Sequence, residues 1–138
     1  MPPAFHVRRR VEFAETDMAG IMHFSNFFRW MESAEVDYLQ ARGLSVRLPW
    51  EGQQLGFPRV SASCDYLKPV RFEDMVDIAV TLEKLGTKSA TYVFEFSHNG
   101  EPVARGKVVS VCCRVRADRT IESIEIPATL HERLLAPV

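Results

Sequence analysis

The chain has 138 residues, one domain's worth, with 46% hydrophobic and 25% charged residues, a globular mixture that excludes disordered, collagen-like and low-complexity classes. Lys and Arg total 17 against 18 Asp and Glu, a net charge of -1, which lacks the basic excess of a general nucleic-acid binder. A chain of this size buries roughly two thirds of its unfolded surface, enough for a core but not for a deep private pocket.

Arg8, Arg9 and Arg10 have no apolar stretch behind them, so the start of the chain does not read as a secretory signal. No apolar run approaches the ~18 residues of a membrane span. Residues 6–13 alternate apolar and polar, which predicts a half-exposed strand. Residues 14–20 follow as a loop ending on Gly20. From 24 to 42 the period changes: Phe24, Phe27, Phe28, Met31, Ala34, Tyr38 and Leu39 recur at three and four residue spacings. Ser25 suits the N-cap and Gly43 the C-terminal stop, giving a helix of ~19 residues and about 28 Å.

A loop with Pro49, Gly52, Gly56 and Pro58 comes next. Strands are then predicted over 59–66, 75–85, 89–98 and 103–115, with Asn99-Gly100 as a hairpin turn. Asp118-Arg119 marks another turn, 121–126 a further strand, and Pro127 the start of a short helix reaching Leu135. One long apolar helix and one antiparallel sheet must bury each other. The predicted architecture is α+β: a curved antiparallel sheet of five or six strands wrapped around one central helix, in a single domain over 1–138. Its outer strands leave edges that a second subunit would cover.

Cys64, Cys112 and Cys113 are odd in number and form no CxxC, which argues against a disulfide framework or a zinc site. They read as reduced, mostly buried residues of a cytoplasmic protein.

Chemistry concentrates in residues 15–27, Glu-Thr-Asp-Met-Ala-Gly-Ile-Met-His-Phe-Ser-Asn-Phe. A helix N-terminus offers unpaired N–H groups and a partial positive charge. Such donors stabilise the charge that grows on a carbonyl oxygen during acyl transfer. A nearby carboxylate, here Asp17, serves as base or nucleophile. On the residues alone, Asp17 reads as readily as a turn-forming loop aspartate.

Asp17-Met18-Ala19-Gly20-Ile21, followed by Asn26-Phe27 and the helix through Glu32, resembles the hotdog-fold acyl-CoA thioesterases, closest to the 4-hydroxybenzoyl-CoA thioesterase branch. A second block, 64–74, resembles that family's Tyr-x-x-Pro strand end and following turn, and Leu85-Gly86-Thr87-Lys88-Ser89 echoes a third. The resemblance covers about 6–117. It implies hydrolysis of an acyl-CoA to free acid and CoA without cofactor or metal, in a homodimer as minimum unit and a homotetramer as the full assembly, with no nucleic-acid or membrane partner. Asp17 matches the catalytic carboxylate, the Phe24 backbone N–H the group that polarises the thioester, and Gly20 the glycine that lets the loop approach substrate. Lys84 and Lys88 fall where relatives contact the nucleotide; Arg59, Lys68, Arg71, Arg105 and Arg114 are further phosphate candidates. The pocket is then expected at a dimer interface.

His23 has two readings: it orients Asp17 or moves a proton, or it caps the helix. Glu32, Glu35 and Asp37 read as a solvated or subunit-facing stripe, although some hotdog thioesterases use a helix carboxylate. Arg29 and Trp30 read as surface and packing residues, and Trp50 as an acyl-pocket wall or hydrophobic cover. The competing functions are a hotdog hydratase or dehydratase on acyl thioesters and a non-catalytic acyl-CoA-binding protein.

Overall fold

The computed structural model describes residues 1–138. Five strands form the main antiparallel sheet: β1 (Phe5–Arg10), β4 (Arg59–Tyr66), β5 (Met75–Leu85), β6 (Ser89–His98) and β7 (Glu101–Val111), in the order β1-β5-β6-β7-β4. A smaller sheet orders β2 (Arg47–Trp50), β3 (Gln53–Gly56), β8 (Cys113–Val115) and β9 (Ile121–Ser123) consecutively. Helix α1 (Ser25–Gln40) lies on one face of the main sheet, and α2 (Ala128–Leu135) closes the chain. This is the expected architecture, with a five-stranded sheet around one long helix and a second small sheet added.

The period of α1 explains its place. Phe27, Trp30, Met31, Ala34, Tyr38 and Leu39 are buried at three and four residue spacings, so one face meets the sheet. The opposing row runs Phe5, Val80, Phe94, Gly106 and Cys64 across five strands, with Val7, Ile78, Phe96, Ala104 and Tyr66 beside it. Gly106 marks the closest approach: a Cβ there would stand 2.2 Å from Met31 Sδ. At the far end Gly43 takes φ +71°. Its N–H donates to Gln40 O at 3.0 Å, and Leu44 N–H to Leu39 O at 2.9 Å. That pair of bonds closes the helix on the expected glycine.

Several local expectations change. The first strand stops at Arg10, and residues Phe13–Glu15 form a 3-10 turn because the Glu15 carboxylate accepts Glu12 N–H at 2.8 Å and bends the chain. Ser25 is the first helical residue rather than the cap. The loop containing Pro49 and Gly52 is instead the β2–β3 hairpin, turned by Glu51 at φ +49° and Gly52 at φ +78°. Paired positive φ values are the twist-matched hairpin turn, here without its usual Asn-Gly or Asp-Gly sequence, and Pro49 sits on an edge strand where its missing N–H is tolerated. The return strand breaks at Cys112, where the chain passes from one sheet to the other; Cys112 and Cys113 are both buried, and all three thiols are free. Burial pushes the Cys112 thiol up to about 11.

Candidate active site

The Asp17 loop is fastened to the helix that follows it. Trp30 Nε1 donates to Glu15 Oε2 at 2.7 Å, Asn26 Nδ2 to Glu15 O at 2.9 Å, and His23 N–H to the same carbonyl at 2.9 Å. Trp30 and Asn26 are buried, so Glu15 ties the loop to the first turns of α1 from below. Met22 N–H donates to Val70 O at 2.7 Å and holds the other side of the loop to the segment after β4. Sequence reading gave Glu15 no role and took Asn26 only as part of the family resemblance, because neither carries the chemistry itself. The signal was present: an acid two residues before Asp17, with an amide and an indole one helical turn apart.

Within the loop, Asp17 Oδ1 accepts Ala19 N–H at 2.8 Å and Asp17 O accepts Gly20 N–H at 2.9 Å. Gly20 takes φ +80° with nothing within 4 Å of its Cβ position, so its role is the left-handed turn itself. The turn-forming and chemical readings of Asp17 are thus compatible: Oδ1 holds the turn and Oδ2 has no hydrogen-bond partner. At the helix tip, Phe24 has helical φ and ψ of -58° and -29°. Its N–H lies before the first intrahelical donor and has no acceptor.

Asp17 and Phe24 line one pocket of about 400 Å³ with Ile21, Met22, Phe27, Tyr66, Leu67, Lys68, Pro69 and Val70. The Phe27 and Tyr66 rings lie 5.3 Å apart and the Phe24 and Tyr66 rings 6.1 Å apart. The residues that carry a free carboxylate oxygen and a free helix-tip N–H therefore both line an aromatic pocket. Those are the two groups that an attack on an acyl carbonyl requires.

Other expected residues lie elsewhere. His23 Nδ1 meets Ser25 Oγ at 2.8 Å and accepts Ser25 N–H at 3.3 Å, and its ring stacks on Phe24 at 4.6 Å. It caps the helix and forms no hydrogen bond with Asp17. Trp50 donates to Thr129 Oγ1 at 3.0 Å and does not line the Asp17 pocket. Glu35 corrects the solvated-stripe reading: it is 1% exposed and pairs with Arg59 Nη2 at 3.1 Å. Burial raises its carboxyl above the usual value, and the Arg59 charge pulls the other way. Asp37 pairs with Arg9 at 2.5 Å. Lys84 and Lys88 are exposed around the β5–β6 turn, at the end of the sheet away from Asp17. The eight residues of β4 that separate the two ends span about 26 Å. No cluster of His, Cys, Asp or Glu is arranged to hold a metal.

Residues 11–134 match the thioesterase-like superfamily. The chain belongs to that family. A putative esterase of Aquifex aeolicus is 32% identical over 85% of this chain and 89% of its own length. A 1,4-dihydroxy-2-naphthoyl-CoA hydrolase of a Synechococcus species is 36% identical over 79% of this chain and 86% of its own. Among solved structures, a gentisyl-coenzyme A thioesterase superposes with TM-score 0.79 and 26% identity, covering 94% of this chain and 99% of the other. The thioesterase-like match spans both blocks on which the hotdog resemblance rests, and no helix is long and apolar enough to cross a membrane.

Proposed function

We propose that this thioesterase-family chain hydrolyses acyl-CoA thioesters, with Asp17 as general base or nucleophile. The observation that carries the reading is the free Asp17 Oδ2 and the free Phe24 N–H on one pocket. As base, Asp17 takes a proton from water while the oxygen attacks the carbonyl carbon. The Phe24 N–H stabilises the developing oxyanion, the C–S bond breaks, and CoA leaves as the thiol with that proton. As nucleophile, Asp17 attacks the carbonyl carbon, the C–S bond breaks and CoA leaves as the thiolate from a mixed anhydride; water then cleaves the anhydride to the free acid and the Asp17 carboxylate, and its remaining proton goes to the thiolate. Both routes end in acid and CoA. Gly20 lets the loop turn close to the substrate, and His23 holds the helix tip.

Two of the three named similar proteins carry an aromatic acyl group in their names. The Phe24, Phe27 and Tyr66 rings suit a similar aryl group here. Residues 1–138 act in this reading as one thioesterase domain. Its functional unit is a cytoplasmic homodimer, two of which form a tetramer. Support for the dimer comes from β4. It is an edge of the main sheet, and Val60 to Ser63 are exposed on both faces. Phe13, Met18, Phe24, Leu67 and Phe72 add exposed apolar surface around the Asp17 loop. The uncharged stretch from Val60 to Cys64 on this edge is a template for strand pairing.

The test is thiol release from a panel of aryl and alkyl acyl-CoAs, with Asp17→Asn as control. Asn keeps an oxygen for the Ala19 N–H, so the turn is retained. The expected loss in kcat is about 10²–10⁴-fold. A panel with no substrate turned over, or full activity in Asp17→Asn, refutes the reading. A monomer by light scattering would remove the dimer.

A further inference from the structure

A second pocket, of about 560 Å³, lies at the opposite end of β4. Arg47, Arg59 and Arg119 line it, with Gly56, Phe57 and Pro58 among its walls, and no acid does. Arg59 is aimed by Glu35, whose carboxylate is buried and accepts from both Nε at 3.3 Å and Nη2 at 3.1 Å. Arg47 and Arg119 are exposed and make no side-chain hydrogen bond or ion pair. In a chain of net charge -1, two uncompensated guanidinium groups beside a third, oriented one form a focused positive site. The planar donor fork of arginine matches an oxyanion.

We propose that this pocket is a substrate anion subsite, contributed to each Asp17 site by the partner subunit. The inference rests on the thioesterase reading and deepens it. Antiparallel pairing of β4 with its two-fold copy, in full overlap, sets the Arg59 end of one strand across from the Tyr66 end of the other. Both side chains are on the helix face of the sheet, since Arg59 pairs with Ser110 and Tyr66 with Ala104, two buried residues of β7. The arginine pocket of one subunit therefore opens beside the Asp17 pocket of the other. Within one chain the two stand a full strand length apart. The oxyanion has two sources: a phosphate of CoA, or an acidic substituent on the acyl group.

The test uses the full chain and the variant Arg47→Gln/Arg119→Gln. Arg59 is left intact so that Glu35 keeps its partner. Succinyl-CoA against butyryl-CoA isolates an acyl carboxylate; butyryl-CoA against butyryl-pantetheine isolates the phosphates. Loss of these charged hydrogen bonds lowers kcat/KM about tenfold or more on the anion-bearing member of one pair. Collapse of the first ratio assigns the pocket to the acyl group, and collapse of the second assigns it to CoA. Both ratios within twofold of wild type overturn the proposal.

Mixing tests the partner's role. Dimers exchanged between Asp17→Asn and the double variant regain one intact site in each mixed pair, about a quarter of wild-type activity. Activity no higher than the mean of the parents overturns the trans arrangement. If the wild type hydrolyses no acyl-CoA, the Asp17 reading fails by itself, and calorimetry with inorganic pyrophosphate decides the pocket. Binding weakened tenfold or more in the double variant supports the subsite, and unchanged or undetectable binding refutes it.

Discussion

Gly106→Ala tests whether the helix position, and with it the active-site geometry, is set by one missing methyl group. The added Cβ would lie 2.2 Å from Met31 Sδ, 3.1 Å from Met31 Cε and 3.4 Å from Ser63 O. Met31 is flexible, but it is fully buried in the central cluster, so its sulfur has no free space to enter. Overpacking of this kind costs about 1–3 kcal/mol. For a chain of this size, 2 kcal/mol lowers Tm by roughly 6–8 °C. A helix pushed off the sheet also pulls the Phe24 N–H, and the loop that Glu15 ties to the helix, away from the Val70 side of the pocket, so kcat falls with Tm. Thermal unfolding at fixed protein concentration and thiol release are the two readouts. Met31→Ala in the Gly106→Ala background removes the clash. A double-mutant cycle should then show a favourable coupling of about 1–2 kcal/mol. A Tm within 1–2 °C of wild type, or additive single effects, would show that the sheet and helix are not in contact at this point.

Three other outcomes follow from the site. Phe24→Pro keeps φ near -58° while deleting the N–H, so kcat should fall about 10²–10³-fold; Phe24→Ala retains the donor and should be far milder, and equal losses would remove the N–H from the chemistry. His23→Ala loses a helix-cap contact worth about 1 kcal/mol, seen as a lower Tm; a kcat loss of 10²-fold or more at unchanged KM would instead make His23 a proton-transfer group. For Glu35, burial raises the carboxyl above its ordinary value of 4.5 in the folded state. The folded protein therefore binds this proton more tightly than the unfolded chain. Its stabilising contribution is present below pH 4.5 and is lost as pH rises through the higher folded value. Urea midpoints should show Glu35→Gln gaining on wild type as pH rises above 4.5, and a difference independent of pH contradicts the burial argument.

Features that depend on local periodicity and local backbone chemistry were legible in the chain. The three and four residue spacing from Phe24 to Leu39 specified the helix, and Gly43 its end. Alternation specified β5 and β6, and Asn99-Gly100 their continuation into β7. Asp17, Gly20 and the helix start fell in one short segment, so a carboxylate beside a helix tip was legible without coordinates. The β2–β3 hairpin was not legible, because its positive-φ turn is made by Glu51-Gly52, and a glutamate at that position carries no turn signal in the sequence.

Which charged residues are partners depends on how the elements pack. Glu35 read as surface because its helix spacing placed it beside Glu32, but Arg59, 24 residues away, meets it in the interior. Glu15 became the fastening of the Asp17 loop through Trp30, and His23 turned to the cap. Arg47, Arg59 and Arg119 come from three separated segments and form one pocket only after the two sheets are placed. The reason is physical: backbone preferences act over a few residues, whereas burial and charge pairing depend on which distant surfaces the core brings together.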